Sequence, residues 1–124
     1  MLQQIPESEY ALLQILWRIP APASSGDILQ NLPKDKHWKR TTVLTLLGRM
    51  TEKGILRADK DGRRLLYTPL VAQEDYQAAQ TSDFLQRVHG GKLSSLVMAL
   101  SANEAFSEDE LDALKKLLEG GESK

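Results

Sequence analysis

The Asp61-Gly62 dipeptide constrains this chain most, because it sits between two short apolar-bearing runs and follows three helix-patterned segments. Asp-Gly in that setting is a strong local signal for a β-hairpin. The runs cover residues 55–59 and 64–70 around a Lys60-Asp61-Gly62-Arg63 turn. A lone hairpin is marginal in water, so it has to pack on what precedes it. Residues 9–19 (EYALLQILWRI) read as a helix opened near Pro6-Glu7, with Tyr10, Leu13, Leu16 and Trp17 on one face. Pro20-Ala21-Pro22 stops it. Ser24 or Ser25 caps a short second helix holding Ile28, Leu29 and Leu32, and Pro33 closes it. The third helix runs from about Trp38 to Lys53, with Gly54 as its stop. Val43, Leu46, Leu47 and Met50 form its buried stripe at i, i+3, i+4, i+7 spacing. The opposite side carries Thr41, Thr45, Gly48 and Glu52, flanked by Leu44 and Arg49.

After Pro69 the pattern changes. Residues 73–89 read as a helix with Tyr76, Phe84, Leu85 and Val88 as its apolar positions, and Gly90-Gly91 breaks it. Leu93, Leu96, Val97 and Leu100 restart the helical spacing. Ser107-Glu108-Asp109-Glu110 is a capping box for a last helix through Leu111, Leu114, Leu117 and Leu118, ended by Gly120-Gly121. The expected fold is mainly α. Residues 1–71 form a winged helix-turn-helix of three helices plus a two-strand wing, and residues 72–124 a three-helix dimerisation region. Three short amphipathic helices bury little alone, and a second copy of the chain is the simplest cover. The expected dimer interface is Tyr76, Phe84, Leu85, Val88, Leu93, Leu96, Val97, Leu100, Leu111, Leu114 and Leu118. The other reading folds these helices back onto the N-terminal core as a monomer.

Charge points to a partner. The net charge of −1 conceals ten Lys and Arg against four Asp and Glu between Lys34 and Arg64, a local balance of +6. Residues 1–33 sum to −2 and residues 65–124 to −5. A basic middle between acidic flanks suits a polyanion, although a solvated basic surface reads the same way. The chain has no cysteine, which excludes disulfides, thiolate metal sites and a cysteine nucleophile. Its apolar runs are far shorter than the roughly 20 residues of a membrane span, and MLQQIPESEY lacks the pattern of a signal peptide. A cytoplasmic protein is expected. No P-loop, GxGxxG, HExxH or GxSxG motif is present, so neither an enzyme nor a cofactor is expected. His37 and His89 are lone histidines, read as structural rather than as metal ligands.

Two helices, a basic third helix and a hairpin give the order of a winged helix-turn-helix, whose third helix enters the major groove of DNA. A groove about 12 Å wide admits a helix, and short side chains let its backbone come close. Lys39, Arg40, Thr41, Leu44 and Thr45 are the candidate base contacts. Ser24, Ser25, Thr42, Arg49, Lys53, Lys60, Arg63 and Arg64 are the candidate phosphate contacts, with Arg57 nearby. Alternatives stand beside several of these. Thr41 and Thr45 also read as plain exposed helix residues, and Arg49 as a partner of Glu52 or Glu9. Leu44 reads either as a contact to a thymine methyl or as a core-edge residue. Trp17 and Trp38 read as packing aromatics.

These residues resemble the BlaI/MecI/CopY family of bacterial winged-helix repressors over nearly the whole length. The resemblance rests on E9-Y-A-L-L-Q-I-L-W17, on W38-K-R-T-T-V-L-T-L-L-G-R-M-T-E-K-G54 and on the wing D61-G-R-R-L-L-Y-T-P69. The segments S95-L-V97 and S107-E-D-E-L111 extend it. It implies a homodimer on a palindromic double-stranded DNA operator, repressing genes for β-lactam resistance or copper handling. In the β-lactam branch it implies a membrane sensor protease as a further partner, with cleavage at positions that match Ala99 and Leu100, where this chain lacks the Asn-Phe pair. The cysteine cluster of the copper branch is missing here. Leu44 stands where relatives often carry a basic residue, and Lys39 where they often carry a serine cap. Two other classes remain open: a winged-helix module that binds protein, which needs no such basic middle, and a ligand-sensing regulator, for which the C-terminal half has few aromatics.

Overall fold

A computed structural model describes residues 4–120. The elements are α1 (Glu7–Arg18), α2 (Ser25–Gln30), α3 (Arg40–Glu52), β1 (Leu56–Asp61), β2 (Arg64–Pro69), α4 (Gln73–His89), α5 (Leu93–Ala102) and α6 (Glu108–Gly120). The expected stop at Gly121 lies outside the described residues. The chain divides into two compact units, Met1–Gln80 and Thr81–Lys124, with the division inside α4. Among the described residues no helix is long and apolar enough to cross a membrane.

In the first unit, α1 buries Leu12, Leu13, Ile15 and Leu16, a wider stripe than spacing alone indicates. The reason is that α1 meets α2, α3 and β2 on different sides. Tyr10 and Trp17 sit partly buried at the edge of the same core. α2 is nucleated by a capping box: the Ser24 hydroxyl accepts from the Asp27 N–H, and the Asp27 carboxylate accepts from the Ser24 N–H. The Ser24 backbone N–H, and after it the Ser24 side chain, favour the ionised acid and hold the Asp27 carboxyl below its usual range. α3 packs Val43, Leu46, Leu47 and Met50 inward, as its spacing predicts. Its end is a Schellman turn: Ile55 N–H donates to Met50 O at 2.9 Å and Gly54 N–H to Thr51 O at 3.1 Å. Gly54 takes φ +82°, which a side chain would strain.

The hairpin follows directly. Pairing runs from Leu56 opposite Pro69 to Asp61 opposite Arg64, leaving only Gly62-Arg63 as the loop. Four residues were expected there. Gly62 alone of the two has positive φ, which makes the loop a type II′ turn suited to the twist of the strands. The hairpin is anchored from a distance. Ala23 N–H donates to Tyr67 O at 3.0 Å, and Tyr67 N–H to Ala23 O at 2.7 Å. The α1–α2 connection thus acts as a one-residue third strand, and Leu56 and Tyr67 enter the core.

Tyr76 corrects an expectation. It is not an exposed dimer residue but a buried member of the first unit's core. Its hydroxyl accepts from the Ile5 N–H at 2.8 Å, and its ring lies 5.4 Å from Tyr10 and 6.3 Å from Trp17. Trp17 Nε1–H donates to Val71 O at 2.9 Å. These contacts fasten the start of α4 to α1.

The second unit differs in kind. Gly90 and Gly91 separate α4 from α5, and the Ser107 hydroxyl caps α6 by accepting from the Glu110 N–H at 3.2 Å. His89 Nδ1 and Ser95 Oγ are 2.8 Å apart, and the His89 ring lies edge-on to Phe84, a structural arrangement. Yet α5 buries no residue, and in α6 Leu111 and Leu114 are only half-buried while Leu117 and Leu118 are exposed.

Candidate nucleic-acid interface

α3 is electrically polarised along its length. Its N-cap, Lys39, makes no side-chain cap hydrogen bond, and its first turn contains no acid. The free N–H groups of that turn and the positive end of the helix dipole therefore coincide with Lys39 and Arg40. The other end carries the exposed Glu52 on the outward face. An anionic partner is favoured at the N-terminal half and disfavoured at the C-terminal end.

The outward face is small and open. Thr41, Thr42, Leu44, Thr45, Gly48 and Arg49 are all exposed. The Thr45 hydroxyl donates to Thr41 O at 2.9 Å, so its lone pairs and methyl group are what it offers outward. Leu44 is 41% exposed and takes no part in the core cluster, which removes the core-edge reading. Between α3 and the hairpin lies an open groove of about 490 Å³, lined by Leu44, Thr45, Gly48 and Arg49 on one side and Ala58 and Leu65 on the other. Thr41, Thr42, Thr45, Leu46 and Arg49 line a smaller hollow of about 280 Å³.

The hairpin register sorts the wing cations by face. Residues paired across the strands share a face, so Lys60 stands with Leu65, Ala58 and Tyr67 on the side of the groove. Arg57, Asp59, Asp61 and Arg64 fall on the opposite face. There Arg57 Nε is 2.9 Å from Asp59 Oδ2, and Arg64 is 3.1 Å from Asp61 Oδ2. Arg64 is thus engaged by Asp61 directly across the strand pair and turned from the groove, against its expected place among the phosphate contacts. The side chains of Lys60 and Arg63 make no hydrogen bond or ion pair among the described residues, nor do those of Lys39, Arg40 and Arg49. Arg49 lines the groove and Lys60 shares its side, while Lys39 and Arg40 stand at the start of α3 and Arg63 at the wing tip.

Lys53 is a second correction. Its Nζ lies 2.9 Å from both carboxylate oxygens of Glu9, whose side chain is 3% exposed. Lys53 therefore ties α3 to α1 rather than reaching outward, and it takes the partner that was one option for Arg49. What the sequence reading missed is the burial of Glu9 and its pairing with Lys53. The spacing of Glu9 to Leu12, Leu13 and Leu16 puts it on the buried stripe of α1, a signal for an acid that needs an internal cation. Ser25 is a third correction, because its side chain is buried and cannot offer a hydroxyl to a phosphate. The Ser24 hydroxyl already accepts from Asp27, whose carboxylate occupies the same helix start. Trp17 and Trp38 are packing aromatics at the core edge, with the Lys36 ammonium 5.5 Å from the Trp38 ring. Among the described residues no cluster of three or more acids and histidines is placed to hold a metal ion.

The penicillinase repressor family model matches residues 5–120. The penicillinase repressor of Bacillus licheniformis is 30% identical over 118 residues, which is 95% of this chain and 91% of that protein. The methicillin resistance regulatory protein MecI of Staphylococcus aureus (strain N315) is 29% identical over 115 residues, 93% of each chain. Among solved structures, the monomeric form of Bacillus licheniformis BlaI in complex with the blaP half-operator is similar, with a TM-score of 0.51 and 29% identity over 61% of this chain and 92% of that one. The DNA binding domain of the repressor BlaI gives a TM-score of 0.51 at 30% identity, over 59% of this chain and 88% of that one. With a three-helix and hairpin unit like those domains and a family match across almost all described residues, the chain belongs to the penicillinase repressor family of winged-helix, DNA-binding repressors.

Proposed function

We propose that this chain represses transcription as a cytoplasmic homodimer on a palindromic operator. Each first unit lays the N-terminal half of α3 into the major groove of one half-site. The observation that carries the reading is the set of cations on α3 (Lys39, Arg40, Arg49) and on the wing (Lys60, Arg63) whose side chains have no partner among the described residues, beside the exposed small residues of α3. Lys39, Arg40, Thr41, Leu44 and Thr45 reach base edges, while Thr42, Arg49, Lys60 and Arg63 meet phosphates, with a lesser share for the Ser24 hydroxyl. Promoter occlusion follows from occupancy, and two half-sites lie one helical turn or a multiple apart.

The second unit supplies the pairing. Phe84, Leu85, Val88, Leu93, Leu96, Val97, Leu100, Leu111, Leu114 and Leu118 leave apolar area that the chain does not cover by itself. A second copy covers it by symmetry. Derepression is loss of that pairing, since one half-site alone holds a monomer weakly. Ala99 and Leu100 are exposed on α5, so a cut between them by a membrane sensor protease separates α6 from the rest of the unit. The test is selection of binding sequences from a randomised duplex library with the full chain, followed by anisotropy titrations at rising salt. We expect an enriched inverted repeat whose affinity falls steeply with salt, because each neutralised phosphate releases counterion. A chain that enriches nothing and ignores DNA at low salt is instead a protein-binding module.

A further inference from the structure

Resting on that DNA-binding reading, we propose that Leu44 is a specificity-determining residue that recognises the 5-methyl group of a thymine in the major groove. Every other large aliphatic side chain of α3 is buried, namely Val43, Leu46, Leu47 and Met50. Leu44 alone stands outside the core at 41% exposure, so the fold gives it no packing task. It lies on the N-terminal half of the helix, one residue before Thr45 and three after Thr41, on the wall of the groove between α3 and the wing. The side chain has no donor or acceptor, so it distinguishes bases only through an apolar surface. Of the four base pairs, only those with thymine show such a surface in the major groove, as the C5 methyl. Leu65 reaches the same groove from the wing at 41% exposure and gives the opposite wall an apolar lining. Thymine rather than adenine or guanine at one fixed half-site position is therefore the preference this side chain imposes.

Deoxyuridine tests this directly, since it removes only the methyl group and keeps the base pair. The best duplex selected by the full chain is resynthesised with each thymine replaced singly, and affinities are measured for the natural protein and for Leu44→Ala. We expect one symmetry-related pair of thymines at which replacement weakens the natural protein by about fourfold per half-site, on the scale of one buried methyl group. Leu44→Ala should lose that sensitivity at those thymines alone, keep its salt dependence and melt at the same temperature. Selection repeated with Leu44→Gln should shift the preferred base there to adenine, whose edge a glutamine bonds in two places. Equal deoxyuridine penalties for the natural protein and Leu44→Ala, or no sensitive thymine, overturn the inference while leaving DNA binding intact. Failure to select any sequence overturns the DNA reading itself.

Discussion

Lys53 separates the fold from the interface, because its cationic character alone assigns it to DNA and its geometry assigns it to Glu9. Lys53→Met keeps most of the aliphatic stem and removes the ammonium that lies 2.9 Å from both Glu9 oxygens. The Glu9 side chain, 3% exposed, is then left without its cation. Stranding one member of a fully buried pair costs about 3–5 kcal/mol. Lys53 is 46% exposed, so water already reaches one side of this pair, and we place the loss below that range, at roughly 2–3 kcal/mol. Glu9→Gln removes the buried charge instead and frees Lys53 to turn to solvent. It should cost less, about 1 kcal/mol, the difference between a charged and a neutral hydrogen bond. The assay is urea denaturation at fixed protein concentration. With a slope of roughly 2 kcal/mol per molar, Lys53→Met should lower the midpoint by about 1–1.5 M and Glu9→Gln by about half as much. The salt dependence of DNA binding should not change in Lys53→Met. A Lys53→Met protein with natural stability and a shallower salt slope refutes the assignment.

Four further outcomes follow from named residues. Arg63→Ala should lower the magnitude of the salt slope by about 1.8 for a dimer on two half-sites, since each lost phosphate contact removes about 0.9, whereas Arg57→Ala, paired with Asp59 on the far face, should leave it unchanged. Tyr76→Phe leaves the Ile5 N–H buried without its acceptor and should cost about 1–3 kcal/mol in denaturation, with the monomer–dimer balance in sedimentation unaltered. Ser24→Ala should cost about 1 kcal/mol at neutral pH through loss of the α2 cap. Because the Asp27 carboxyl is held below its ordinary 3.8, its own stabilising contribution is fully present above that value and is lost as pH falls through the depressed one; Asp27→Asn should flatten the acid limb of the stability curve.

What was legible in the sequence is local. The buried stripe of α3, its glycine stop and the hairpin are set by residues within a few positions of each other, where helical spacing and a positive-φ glycine decide the outcome. The same holds for the Ser24 cap and for the break at Gly90-Gly91. What sequence reading misassigned depends on distant partners. Lys53 and Glu9 are 44 residues apart, and Tyr76 and Ile5 are 71 apart. Tyr76 looks like the first apolar position of an unpartnered helix, and only the fold shows that α1 takes it. Arg64 differs, since its partner Asp61 is three residues away, and the pairing register sets it on the face opposite the groove. Leu44 is the converse case. Its spacing allowed both a core edge and an outward face, and burial decided between them.

Residue-resolved NMR of the labelled full chain, titrated with its selected duplex, tests the central claim most directly. Amide shifts should cluster at residues 39–49 of α3 and its N-cap and at Lys60–Arg63 of the wing tip, with α5 and α6 unmoved. Shifts confined to α5 and α6, or none at saturating duplex, contradict the placement of DNA on α3.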